Sequence, residues 1–179
     1  MFACSIFLDA RSTGTSLPRR LAALQRLLRG RDGRIELLLV DDTADPRLPR
    51  LANRFGVRLL PCANEPLGGR LNAAVARSQG TVLIFPAPTL PIPTDWLAVV
   101  VDGVEHRAWD VMVLPSGSRG PATRLWQWLR RAPPADTLCV VREWFDRIGG
   151  FDPSLDTRAL PELLERLRAC QARVHSRFR

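Results

Sequence analysis

Apolar residues in this chain fall into two kinds of run. Short continuous runs, CSIFL at 4–8, IELLLV at 35–40, VRLLP at 57–61 and TVLIF at 81–85, read as buried strands. Between them the period lengthens to that of a helix. Leu17, Leu21, Leu24 and Leu28 share one face, with Ser16 placed to cap, Pro18 in the first turn and Gly30 as a stop. Leu48, Leu51, Ala52 and Phe55 line a second helix that Asp45-Pro46 is suited to open and Gly56 to close. Leu71, Ala74, Val75 and Ser78 form a third, closed by Gly80. Strand and helix alternating three times before a final strand imply parallel strands joined by right-handed crossovers. Strands this continuously apolar imply a sheet covered on both faces.

The second half is less regular. Thr94 is placed to cap a helix carrying Trp96, Leu97, Val100, Val101 and Val104. DVMVL at 110–114 and LCVV at 138–141 read as strands, with a short helix, RLWQWLRR, between them. REWFDRIGG reads as a helix stopped by two glycines, FDPSLD as a turn, and PELLERLRAC as an amphipathic helix with Leu163, Leu164 and Leu167 inward. ARVHSRF is a last strand, or the basic end of the chain is a surface for a membrane or protein partner. No linker interrupts the pattern. The expectation is one α/β domain over 1–179, with a mostly parallel central sheet and helices on both faces.

Composition changes this picture little. The 179 residues suffice for one compact core. The net charge of +8 invites a nucleic-acid partner. All 26 basic residues are arginine, however, and they are scattered without interleaved aromatics, which argues against nucleic acid. Cys4, Cys62, Cys139 and Cys170 fit no zinc spacing and read as free thiols in a reducing cytoplasm. Met1–Leu8 is too short for the apolar core of a secretory signal. No apolar run approaches the roughly 20 residues of a membrane helix.

In an open parallel sheet, ligands bind at the carboxyl ends of the strands. Here those ends carry Asp9, Asp41, Asp42 and the Pro86–Thr89 segment. A strand-end carboxylate accepts hydrogen bonds from a base N–H or from ribose hydroxyls, or caps the following turn; position alone does not choose between these roles. Gly68-Gly69-Arg70 opens a helix, where two glycines permit close backbone approach and an arginine binds phosphate. There is no dinucleotide or P-loop glycine motif. His106 and His175 stand apart from any nucleophile pattern. Trp126 and Trp128 suit either an acceptor groove or helix packing.

Taken in order, SIFLDARSTGTSLPRRLAAL, IELLLVDDTADP, GGRLNAAVARSQGTVLIF, PTLPIPTDWL and VVREWFDRIGGFDPSL resemble a family-2 glycosyltransferase over nearly the whole chain, closest to small bacterial members. The resemblance implies a single GT-A, Rossmann-like domain, with residues 1–90 binding a nucleotide-sugar and 91–179 facing the acceptor. It implies base or ribose contacts for Asp41 and Asp42, and nucleotide contacts for Arg70 and Asn72; Asp9 joins the expected nucleotide-binding set by its place at a strand end. Asp136 falls where many members keep an acidic residue and is the expected catalytic base. Arg142, Phe145, Gly149, Gly150, Phe151 and Asp152 match a late signature that is mainly structural.

The chain also departs from the family. The Asn-Glu of the first loop is Ser12-Thr13, and the proline ending the first strand is Asp9. The Asp-x-Asp that holds a manganese or magnesium ion is Pro86-Ala87-Pro88, and the late Glu-Asp pair is Ala159-Leu160. Hard divalent cations need oxygen ligands, and proline and alanine side chains have none. Two readings follow. Either the chain is a glycosyltransferase with substitute parts, Asp9, Asp136, Asp156 or Glu162 as base and Arg70 or Arg119 against the diphosphate, or it is a non-catalytic homologue that binds a nucleotide or sugar, or partners an active enzyme. A nucleotidyltransferase is a third reading, opposed by the Gly-Gly-Phe-Asp segment.

Overall fold

The computed structural model describes residues 3–29, 35–63, 65–87, 100, 108–114 and 137–176. The expected helices at 94–104 and 124–131 lie outside the described residues, as do His106, Arg119, Trp126, Trp128 and Asp136.

The strands are β1 (Cys4–Asp9), β2 (Ile35–Asp41), β3 (Arg58–Pro61), β4 (Val82–Phe85), β5 (Val111–Leu114), β6 (Thr137–Val141) and β7 (Val174–Ser176). They form one sheet of order β3-β2-β1-β4-β6-β5-β7. The first four are parallel, as the alternation requires. β6 runs antiparallel to both β4 and β5, and β7 is again parallel to β5. The sheet is therefore mixed but mostly parallel, and its strands come from both halves of the chain.

Helices cover both faces. On one, α2 (Leu17–Leu28) and α3 (Leu48–Phe55) pack Leu17, Leu21, Leu24, Leu48 and Ala52 against Ile6, Leu8 and Ile84. On the other lie α4 (Leu67–Ala76), α5 (Arg142–Arg147) and α6 (Ala159–Ala169). These bury Leu71, Ala74, Val75, Leu163 and Leu167 against Val40, Leu83 and Val140. Full burial of such a side chain contributes about 1.5–3 kcal/mol. Within the basic C-terminal stretch, the described residues complete α6 and supply the edge strand β7. Among the described residues no helix is long and apolar enough to cross a membrane.

Two element starts differ from the sequence reading. α3 begins at Leu48, because Asp45 turns its carboxylate onto the Arg47 N–H and its carbonyl onto the Leu48 N–H. The RSTGTS loop is instead a helical turn, α1 (Ala10–Thr13), and a short 3₁₀ segment at Gly14–Ser16. Asp9 makes that turn. It leaves β1 extended and its carboxylate accepts from the Ser12 N–H at 2.8 Å, which caps the helix.

Candidate functional site

β1, β2 and the start of α4 meet at the carboxyl edge of the sheet, and their charged side chains converge. The Arg70 guanidinium reaches Asp9 with two bonds, Nε to Oδ1 at 3.1 Å and Nη2 to Oδ2 at 3.2 Å. Its Nη1 donates to the Glu65 carbonyl and lies 3.0 Å from Asp42 Oδ2. The Arg70 and Asp42 side chains are both 0% exposed. A guanidinium stays charged when buried, so burial is tolerable only with its N–H groups engaged and its charge balanced. Asp9, Asp42 and the Glu65 carbonyl meet both conditions.

Asp41 has a different task. Its Oδ1 accepts from the Thr43 N–H at 2.8 Å and the Thr43 hydroxyl at 2.7 Å, closing a side-chain turn that leads the chain out of β2. Asp42 is held by charge alone. Its Oδ2 lies 2.7 Å from Arg11 Nη2, off hydrogen-bond angle as with Arg70, and its Oδ1 has no hydrogen-bond partner. A buried carboxylate oxygen without a hydrogen-bond donor is costly, so its retention calls for an explanation. Arg11 is 46% exposed and closes the cluster from the solvent side. Sequence reasoning missed Arg11. The signal was the capping pair Asp9 and Ser12, three apart, which implies a helical turn carrying Arg11 beside the strand ends.

The start of α4 is not open to phosphate, contrary to the expectation for Gly68-Gly69. The Leu67 N–H donates to Asp156 Oδ1 at 3.2 Å and the Gly68 N–H to the Leu155 carbonyl at 2.9 Å. A Cβ at Gly68 would stand 2.0 Å from the Asp152 carbonyl oxygen. The glycine pair therefore lets α4 dock on the 152–156 turn, and that turn fills the helix N-terminus with a carboxylate of its own. Asn72 belongs to the same joint. Its amide donates to the Phe151 carbonyl at 2.8 Å and accepts from the Phe151 N–H at 2.9 Å, so both of its ends are engaged by backbone.

The late signature is structural, as expected. Phe145 and Phe151 stack edge to face at 5.3 Å, and Phe151 meets Phe85 at the end of β4 at 5.0 Å. Gly150 adopts φ 75°, and a Cβ there would meet the Asn72 amide oxygen at 2.8 Å. Arg166 links Glu162 to the Ile148 and Gly150 carbonyls. Among the substitute bases, Asp9, Asp156 and Glu162 thus all hold local structure. Asp152 does too: bonds from the Ser154 hydroxyl and N–H keep its carboxyl below the usual carboxylate range.

β4 ends differently. Pro86 and Ala87 follow Phe85, and the Ala87 side chain is buried. No side-chain oxygen is available at either residue to ligate a cation. Among the described residues there is no group of three or more His, Cys, Asp or Glu side chains that could hold a metal ion. The described residues at the end of β4, Pro86 and Ala87, do not fit the divalent ion that the resemblance implies. All four cysteines are free; burial raises the Cys139 thiol well above its ordinary range.

No family model and no curated protein sequence matches the chain. Solved structures do match. TarS 1–349 from S. aureus superposes with a TM-score of 0.73 at 13% identity, over 99% of this chain and 58% of that one. Glucosyl-3-phosphoglycerate synthase from Mycobacterium tuberculosis, in complex with manganese and UDP, superposes at 0.69 with 15% identity, over 98% and 69%. The mannosyltransferase PcManGT from Pyrobaculum calidifontis, with GDP-Man and manganese, superposes at 0.67 with 14% identity, over 98% and 54%. The fold is therefore the GT-A-like fold of nucleotide-sugar transferases, and the chain spans little more than half of two of these three structures.

Proposed function

We propose that this chain is a glycosyltransferase-type domain that binds a nucleotide-sugar at the carboxyl edge of its sheet without a divalent metal, and does not perform the transfer. The observation that carries the reading is Asp42: a buried carboxylate at the end of β2, beside a buried arginine, with one oxygen unpartnered. Such an oxygen accepts a base N–H. The structural neighbours support the ligand class, since they were solved with UDP, GDP-Man or UDP-GlcNAc. The second half of the reading rests on chemistry. Deprotonating an acceptor hydroxyl requires a carboxylate free to take the proton. Asp9 is engaged by Arg70 and Ser12, Asp156 by α4, and Glu162 by Arg166. Asp136 is the remaining candidate base.

The roles divide accordingly. Asp42 receives the base, Arg70 sets its position, Asp9 balances Arg70, and Asp41 shapes the turn beside it. Asn72 positions α4 against the acceptor-side turn.

The test is a panel of UDP- and GDP-sugars, followed by calorimetry for binding and by product analysis for transfer and hydrolysis. Binding without turnover is the expected result. Asp42→Ala should weaken binding by about tenfold or more, the loss of one hydrogen bond to a charged group. Turnover that disappears in Asp136→Ala would show an active enzyme and overturn the non-catalytic half. Absence of binding to every member of the panel would overturn the donor site.

A further inference from the structure

The two faces of the sheet carry their charge differently. α2 and α3, packed side by side on one face, contain five arginines and no acidic residue. α5 and α6, on the other face, contain four basic and four acidic residues. A compositional preference for arginine would load both faces alike, so it does not account for the asymmetry. Four of the five arginines point outward. Arg19 and Arg26 lie two turns apart on the exposed stripe of α2, and Arg50 and Arg54 one turn apart on that of α3. Arg29 is exposed just past the end of α2. None of these outward arginines forms an ion pair with a described residue. The acid that precedes α3, Asp45, is already taken by Arg47 at 2.7 Å. Such a face repels itself, and an anionic partner relieves that repulsion.

The surroundings of the arginines favour one kind of partner. Two adjacent helices present a broad face, and half-exposed Ala22, Leu27 and Leu51 lie among the charges. The only aromatic residue of α2 and α3, Phe55, has Arg54 over its ring at 5.5 Å, so it is not offered to a stacking base. Guanidinium groups above aliphatic stems and apolar side chains match a layer of lipid headgroups over hydrocarbon. We propose that the outer face of α2 and α3 docks this protein on membranes rich in anionic phospholipid, its guanidinium groups on headgroup phosphates. The attachment is peripheral and electrostatic, so salt releases it. It does not depend on the donor site.

The experiment is co-sedimentation of the full chain with vesicles of phosphatidylglycerol and phosphatidylcholine, and with vesicles of phosphatidylcholine alone. Binding to the anionic vesicles only, lost at high salt, is the expected result. Two double variants remove the same charge from opposite faces: Arg26→Gln with Arg50→Gln, and Arg158→Gln with Arg168→Gln. All four side chains are exposed, so both variants should melt as the wild type does. At about fivefold per arginine at the surface, the first pair should weaken vesicle binding by about twenty-fivefold. The second pair, held away from the membrane by the thickness of the domain, should weaken it by less than about threefold. Equal weakening by the two pairs would mean that net charge acts without a preferred face, and overturns the assignment to α2 and α3. Failure to bind anionic vesicles, or tighter binding to an RNA oligonucleotide at the same salt, overturns the membrane as the partner.

Discussion

Two neighbouring stretches of one sheet edge are built on opposite principles. At the ends of β1 and β2, Asp9, Asp42, Arg70 and Arg11 form a compact cluster of two negative and two positive charges. At the end of β4, the next strand along, Pro86 and Ala87 present carbon. Both stretches close the same kind of parallel strand, so backbone geometry does not explain the difference. The charged stretch is over-determined. Each member has a partner that would be stranded by its loss, and such a cluster persists for structure even without a ligand. The β4 stretch has no such constraint, since a metal ligand has no structural partner to leave unpaired. Among the described residues, the chemistry that doubles as architecture is present, and side-chain ligands for a metal at the end of β4 are not.

The sharpest way to break this comparison is to remove the central charge. Arg70→Met should destabilise the fold by about 3–5 kcal/mol in urea denaturation, because Asp9 and Asp42 would be left buried with little compensation. The triple variant Arg70→Met, Asp9→Asn, Asp42→Asn should recover part of that loss. A cost below about 1 kcal/mol for Arg70→Met would place it with ordinary surface pairs and remove the distinction.

A somewhat smaller effect tests the joint between the two stretches. Gly68→Ala drives a methyl group into the Asp152 carbonyl and should cost about 1–3 kcal/mol, as overpacking does. Unchanged stability would mean that α4 has room at its start, and the phosphate site read from Gly68-Gly69 would return.

The smallest effect comes from a charge pair on the opposite edge. Hydrogen bonds from Arg173 hold the Asp110 carboxyl below the usual carboxylate range. A depressed folded value means the pair stabilises above the unfolded carboxylate pKa, about 3.9, and loses that contribution as pH falls through the folded value. Asp110→Asn should therefore lower stability slightly at neutral pH and flatten the acid limb of a melting-temperature profile. Nucleotide affinity should not change. A shift in affinity would mean that the charged stretch is not an isolated unit.

The fold was largely legible in the sequence, because the apolar runs that predict strands are the runs the sheet buries. Ile6, Leu38, Leu39, Leu83 and Ile84 are all fully covered. The reversal of β6 was not legible, since LCVV has the same pattern in either direction. At the candidate site, residue types pointed to an edge where charged side chains do meet, but not to their partners. Asp9, Asp42 and Arg70 do converge. Asn72 and Gly68 instead serve a joint with the 152–156 turn, 79 residues or more along the chain. No periodicity signals a contact of that range. Glu65 contributes only its carbonyl, which its side chain does not announce.

The central claim is that the charged stretch binds a nucleotide without help from a metal at β4. Calorimetric titration with UDP and with GDP, first in a chelator and then in excess manganese, tests it most directly. The account predicts binding in the chelator, with a dissociation constant that manganese changes by less than about twofold, well under the tenfold that 1.4 kcal/mol represents. Binding that appears only with manganese would contradict it, because the cation would then have ligands at an edge where Pro86 and Ala87 offer none.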